Sequence, residues 1–270
     1  MNFLVKTGMN EDFLLDLGFH DKHRSHYRAF FEKQLAKVSI NSVRRHLDIQ
    51  GAFSESCELI FFEGDLENLT NLQIRTHGGA NQIDNFKLLL FSKKGRIRIN
   101  VGSSNTKVFI GPNTACHVTL ELFRSPTIFI GDGTTVGNAR IIAGNSDVII
   151  GSDCLLSDEI ILQSTHQHPI IDLSNSCIKN ADRTFIHLED HVWVGRRALI
   201  LPNVTIAKGS ILGAGSVLTK DIEPFCAAAG VPAKVISRST SWARNFGHLS
   251  GEEKILFADN NIKNMNDLFN

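Results

Sequence analysis

Residues 186–218 read IHLEDHVWVGRRALILPNVTIAKGSILGAGSVL. Leu188, Val194, Ile200, Ile206, Leu212 and Leu218 stand six apart, and all are aliphatic. Two residues before each come Ile186, Val192, Ala198, Val204, Ser210 and Ser216, all apolar or small. If roughly a quarter of residues are Ile, Leu or Val, six hits in one chosen frame has a chance of about one in 4000; such counted periodicity is the primary structural signal in a sequence. Helices repeat near ~3.6 residues and simple strands near ~2. A period of six fits neither. It fits a short strand and a turn repeated, as in a parallel β-helix.

A longer repeat precedes it. VFIG at Val108–Gly111, IFIG at Ile128–Gly131 and VIIG at Val148–Gly151 recur every 20 residues. Three hexads make 18, so two residues per coil are left for a corner. Val136 and Ile142 follow Ile130 by six and twelve, and Leu156 and Leu162 follow Ile150 in the same way. One coil alone can neither pair its strand edges nor bury its apolar corner; stacked coils do both.

The frame breaks once. From Leu162 to Leu188 is 26 residues, eight more than one coil. An excursion is therefore expected over about 164–185, STHQHPIIDLSNSCIKNADRTF, and function concentrates in loops that leave a rigid scaffold. Residues 1–50 carry apolar clusters at near-helical spacing and read as a helical segment. Residues 51–106 hold strand-like runs (CELIFF, LQIRT, FKLLLF, RIRINVG) that look like degenerate early coils. Pro224 and Gly230-Val231-Pro232 end the periodicity, which gives a β-helix domain over 51–222 and a C-terminal tail over 223–270 with helical potential.

Composition narrows the class. The 270 residues carry 28 Lys+Arg against 28 Asp+Glu, so nothing argues for nucleic-acid binding. The five cysteines form no CxxC pair and fit a reducing compartment better than a disulfide framework. The first residues lack the pattern of a signal peptide, and no apolar run approaches a membrane span, so a soluble cytoplasmic protein is expected.

The stretch HVWVGRRALILPNVTIAKGSILGAGSVLTKDIEPFCAAAGVPAKVI (191–236) resembles the hexapeptide-repeat acyltransferases, among them galactoside and maltose acetyltransferases and bacterial capsule and O-antigen O-acetyltransferases. The resemblance covers about 108–236. It implies a left-handed parallel β-helix, a homotrimer, and acetyl-CoA lying between neighbouring subunits; the left hand comes from the family alone. It also implies a catalytic histidine in a His-Pro context where the loop leaves the helix. His168-Pro169-Ile170-Ile171-Asp172 fits, so His168 inherits the role of general base. His166 takes a position where polysaccharide-type members often carry Asp, and is a candidate for orienting the acceptor. Trp193, just before a core position, should point outward and contact substrate or a neighbouring subunit. For coenzyme A the family implies Gly195, Gly213, Ala214, Thr219, Lys220 and Lys234, the two lysines toward the nucleotide phosphates. Arg196 and Ser237 depart from the family's usual residues, and Arg238 could stand in for an arginine at the latter position.

Acetyl transfer to a hydroxyl needs a base, a partner to fix its tautomer, and donors for an oxyanion. Imidazole suits the first at neutral pH; Asp172 is a candidate for the second, and backbone N–H groups along coil edges for the third. The acceptor is expected to be a sugar hydroxyl of a capsule, O-antigen or sialic-acid-containing glycan, with no metal required. Two other readings use the same scaffold. One is a γ-carbonic-anhydrase-like metal hydratase drawing on His166, His168, His187 and His191. The other is a non-catalytic β-helix that binds or scaffolds.

Overall fold

The computed structural model describes residues 5–7, 35–69, 71–77, 82–92 and 94–258. Within them the chain winds a parallel β-solenoid of about eight turns. Three walls form because each coil contains three short extended runs with turns between them. The first wall stacks Glu58–Phe62, Lys87–Leu90, Lys107–Ile110, Thr127–Ile130, Ser146–Ile150, Thr184–Leu188 and Val204–Ile206, all parallel. The VFIG, IFIG and VIIG runs lie directly on one another here, with Ile110, Ile130 and Ile150 in register and fully buried.

In the middle coils the other two walls share single bent strands. Ala115–Phe123 and Thr135–Gly144 each turn through a corner. In later coils each becomes two short pieces, such as Trp193–Val194 with Leu199–Ile200 and Ile211–Leu212 with Val217–Leu218. The six aliphatic residues of the opening stretch all lie inside the prism, none more than 1% exposed. Side chains of this size contribute about 1.5–3 kcal/mol each when buried, so the column of six is a principal source of cohesion. The six-residue frame slips in one place. Ile142 is not the inward residue of its coil; a bulge between Val136 and Ala139 turns Ile141 inward, opposite Leu120 and Leu162.

Coil stacking extends beyond 222, because Cys226–Gly230 adds a parallel strand on Ile211–Leu212 before Ala233–Arg238 turns back antiparallel. At the other end Leu35–Ser39 lies antiparallel on Glu58–Phe62. The helix expected over 1–50 falls mostly outside the described residues. Where that segment is described, Val5–Thr7 and Leu35–Ser39 are strands and Ile40–Val43 is a single 3-10 turn. These strands fit because Leu35, Ala36 and Val38 are buried against the first coil, and packing outweighs local propensity. The helix among the described residues is Gly251–Ala258. It opens on a capping box, in which the Glu253 amide donates to Ser250 Oγ at 3.1 Å and the Ser250 amide donates to Glu253 at 2.7 Å.

Candidate functional site

The three corners of the prism carry different furniture. At the corner between the third and first walls the chain leaves the solenoid after Ile160–Gln163 and returns at Thr184–Leu188. The excursion is a small antiparallel hairpin, Ile171–Asp172 against Cys177–Ile178. His168 stands exposed at its root. The turn into it is tight: the His168 amide donates to the His166 carbonyl at 2.6 Å, and Gln167 between them has φ +59°. Asn180 closes the base of the hairpin, donating to the His168 carbonyl at 2.8 Å and accepting from the Ile170 amide at 2.8 Å. Arg124 ties this root to the wall, with Nη2 donating to Thr165 Oγ1 at 2.8 Å; the Gln167 amide donates to the same oxygen at 3.2 Å.

Asp172 does not orient the imidazole. Its two oxygens accept from the amides of Ser174 and Asn175 and from the Asn175 side chain, and Lys179 lies 3.4 Å away. These bonds, the Asn175 side chain foremost, hold its carboxyl below the usual carboxylate value and make it the fastening of the hairpin turn. His166 is exposed on the same root.

His168 opens on a groove of about 500 Å³ along the edge of the third wall, lined by His77, Glu121, Phe123, Arg124, Arg140, Thr165, Gln167 and His168. That volume lies within the ~300–1,000 Å³ range of small-ligand pockets. His77 and Phe123 meet edge to face with ring centroids 5.2 Å apart. None of His77, Glu121, Arg124 or Arg140 follows from the six-residue frame, because they occupy outward positions in earlier coils. The twenty-residue register was the one signal that could have brought Glu121 and Arg140 onto the same wall as the loop root.

The residues expected to hold coenzyme A divide between two corners. Gly195, Gly213 and Ala214 share the corner between the second and third walls. A Cβ on Gly195 would come within 2.6 Å of the Ala214 nitrogen, and one on Gly213 within 2.9 Å of Ala229 Cβ. Glycine is thus required there so that successive coils can stack. The result is a shallow trough of small residues, Gly137, Ser157, Gly195, Gly213 and Ala229, running up the corner. Lys234 pairs with Ala229 and sits at the trough's end. Trp193, 36% exposed, flanks the trough, its Nε1 donating to Ser157 Oγ at 3.4 Å. Thr219 and Lys220 are exposed on the other corner, the one that carries the His168 loop, after the third-wall strand Val217–Leu218. Arg196 and Arg238 are engaged by Asp158 and Glu223, and Ser237 by Thr240.

The remaining corner is strapped by the tail. Trp242 stacks on His191, and Arg244 donates to Asp153 Oδ1 at 2.6 Å and to the carbonyls of Gly133 and Cys154. Both ring nitrogens of His191 are occupied, Nδ1 by Asp153 at 2.7 Å and Nε2 by the Trp242 carbonyl at 2.9 Å. His191 is thus committed on both sides to holding the tail. Among the described residues no cluster of three or more His, Cys, Asp and Glu could hold an ion. Nor is a buried cysteine nucleophile available at these sites: burial pushes the Cys116 and Cys154 thiols up to about 12. Among the described residues no helix is long and apolar enough to cross a membrane.

Residues 185–220 match the family described as bacterial transferase hexapeptide, six repeats. These coils are hexapeptide-repeat coils. Over 118 residues the chain is 34% identical to the polysialic acid O-acetyltransferase of Escherichia coli O1:K1 / APEC, covering 43% of this chain and 38% of that protein. Over 129 residues it is 39% identical to the galactoside O-acetyltransferase of Escherichia coli K12, covering 47% of this chain and 62% of that protein. The chain thus spans less than two thirds of the curated relatives it matches. The crystal structure of the polySia-specific acetyltransferase NeuO superposes with a TM-score of 0.62 at 26% identity, over 79% of this chain and 94% of that one. The polysialic acid O-acetyltransferase OatWY superposes at 0.55 with 23% identity, a likeness of fold alone. The solenoid has the left-handed β-helix fold of these neighbours.

Proposed function

We propose that this chain is an O-acetyltransferase that moves an acetyl group from acetyl-CoA to a sugar hydroxyl of a bacterial surface polysaccharide, with His168 as general base. The observation that carries the reading is the position of His168. It stands at the root of the hairpin that leaves the solenoid, facing a groove, on a scaffold that covers nearly the whole of a polysialic-acid-specific acetyltransferase.

The chemistry follows from the groups present. The imidazole of His168 accepts the proton of the acceptor hydroxyl as its oxygen attacks the thioester carbonyl carbon. Backbone N–H groups at coil edges serve the developing oxyanion. When the C–S bond breaks, the same imidazole returns the proton to the departing thiolate. No covalent acyl-enzyme is needed.

The trough at Gly195, Gly213 and Ala214 suits a thin pantetheine arm, and Lys234 at its end suits a phosphate. Within one chain this trough and His168 lie at opposite ends of the third wall. A homotrimer in which one subunit's trough faces its neighbour's His168 would unite them, with Lys220 on the histidine's side. Trp193 would then line the reacting centre, and a cytoplasmic location would supply the acetyl-CoA. The test is release of free thiol from acetyl-CoA, followed against a panel of sialylated and galactosidic acceptors. Release that depends on acceptor and vanishes in His168→Ala supports the reading; acceptor-independent silence across the panel, with coenzyme A failing to bind, would sink it in favour of a binding or scaffold protein.

A further inference from the structure

Gln167 is held in a conformation that its own side chain disfavours. The His168 amide donates to the His166 carbonyl at 2.6 Å, across a turn whose central residue, Gln167, has φ +59°. This is the left-handed form of the γ-turn, rare and strained for a residue with a Cβ. Strain of this kind persists only where the surroundings over-determine it. Here the turn lies directly before the imidazole, so whatever holds the turn also sets the ring.

The restraint comes from an earlier coil. Thr165 is 2% exposed, and its Oγ1 accepts from the Gln167 amide at 3.2 Å and from Arg124 Nη2 at 2.8 Å. Both lone pairs of that hydroxyl are thereby used, and at so buried an oxygen water does not replace a lost donor. The guanidinium reaches it by passing Gly144, which pairs with Phe123 in the coil between. A Cβ on Gly144 would lie 3.3 Å from Thr165 Oγ1 and 3.4 Å from Arg124 Nη2, close enough to press the two partners apart. The rest of the excursion is fastened separately. Ser146 Oγ and Ser164 Oγ lie 2.6 Å apart, and Thr184 Oγ1 donates to the Ser164 carbonyl. Arg183 donates to Asp147 at 2.8 Å and to the Ser125 carbonyl at 3.2 Å. These bonds close both legs of the loop on the solenoid without Arg124, so the Arg124–Thr165 bond bears on the turn and not on docking of the hairpin.

We propose that Arg124 is a positioning residue for the transfer: through Thr165 it holds the strained turn at Gln167 and so fixes His168 in the orientation from which it takes the acceptor's proton. The proposal rests on the acyltransferase reading. An ionised donor makes a stronger hydrogen bond than a neutral one, which suits a joint that must oppose strain. Thr165 is the joint, because one oxygen receives the guanidinium on one side and the backbone of the turn on the other.

Two measurements on the full chain test this. Hydrogen exchange over residues 164–170 reports the turn itself and needs no substrate. Arg124→Ala and Thr165→Val should each speed exchange there by about tenfold or more, while residues 171–178 exchange as in wild type. Thr165→Ser, which keeps the oxygen, should restore protection. Arg140→Ala, which removes the groove's other guanidinium, should leave this segment unchanged. Thiol release from acetyl-CoA, with an acceptor from the panel above, reports the base. Arg124→Ala and Thr165→Val should each lower kcat by about ten- to a hundredfold, the effect of misplacing a reacting group by ~1 Å, with the KM for acetyl-CoA within about twofold of wild type. Arg124→Lys should recover part of the loss. In the Thr165→Val background Arg124→Ala should add almost nothing, because both act through one oxygen.

Exchange over 164–170 that is unchanged in both variants overturns the proposal. So does an Arg124→Ala loss that persists in full in the Thr165→Val background or falls on the acceptor KM, since either would put the guanidinium on the substrate. Faster exchange along the whole solenoid would reduce Arg124 to a merely structural role and overturn it as well. The two readings fail separately. If no acceptor gives turnover in wild type, the acyltransferase reading fails, and the exchange result alone decides whether Arg124 holds the turn.

Discussion

His191 and Trp242, 51 residues apart, stack with ring centroids 4.3 Å apart and planes 11° from parallel. The Trp242 indole also donates to the His191 carbonyl at 2.8 Å, so the tail is pinned to the coil by side chain and backbone together. Coil stacking itself does not use Trp242. Truncating a buried Trp costs about 3–5 kcal/mol, and here the loss should fall on the strap. Trp242→Ala is expected to make residues 239–258 sensitive to limited proteolysis while the solenoid core stays resistant. Uniform resistance, as in wild type, would mean the strap is held without this contact.

The same latch should respond to acid. Burial pushes the Asp153 carboxyl up, but hydrogen bonds from His191 and Arg244 outweigh this and hold it below its ordinary value of 3.8. A carboxyl whose value is depressed on folding stabilises the folded state above the unfolded value, and the stabilisation is lost as pH falls through the lower folded value. Strap docking should therefore be unaffected from neutrality down to about pH 4 and weaken below it. Hydrogen exchange of residues 239–258 across this range would show it. Asp153→Asn should weaken docking at neutral pH and flatten the acid dependence; an identical acid transition in that variant would assign it to another group.

The solenoid was legible because inward residues of stacked coils must repeat with the coil, and Leu188 to Leu218 do so without interruption. The loop was legible as a break in that frame. Ile142 misled because the inward residue, Ile141, follows Val136 by five residues instead of six, and periodicity alone cannot see a register shift at a corner. Asp172 misled because a carboxylate four residues past a histidine is as well suited to fastening a hairpin as to orienting a ring. Arg124, Arg140 and His77 left no mark, since outward positions on a solenoid are free of the core's constraint. The strap was invisible for a related reason: Trp242 and Arg244 pair with residues chosen by winding, not by spacing.

The division of the coenzyme A candidates between two corners makes a separable prediction. Lys234 ends the trough, whereas Lys220 belongs to the corner of the histidine loop. A charge-assisted contact contributes about 1.5–3 kcal/mol, so Lys234→Ala should raise the KM for acetyl-CoA roughly tenfold or more, with a smaller effect on kcat. Lys220→Ala should add to it if a neighbouring subunit completes the phosphate site. A KM unchanged in the double variant would show that the nucleotide lies elsewhere on the wall.

The two histidines of the loop should behave differently, for reasons that are now geometric. His168 is anchored on both sides: its amide donates to His166, and its carbonyl accepts from Asn180. It also lines the groove, while His166 does not. A base so held keeps its ring near one place, which general-base catalysis requires. His168→Ala should lower kcat by about 10²–10⁴, the range for loss of a general base, with folding and coenzyme A binding preserved. His166→Ala should cost far less, and chiefly in the KM for the acceptor. Asn180→Ala should fall between them, since it frees the hairpin root without removing the imidazole. Asp172→Asn should leave kcat close to wild type, because its carboxylate fastens Ser174 and Asn175 and not the ring. Steady-state kinetics on the four variants would test the ranking. A deeper loss in His166→Ala than in His168→Ala would make His166 the base, and a collapse in Asp172→Asn equal to that in His168→Ala would restore the carboxylate as its partner in the assembled enzyme.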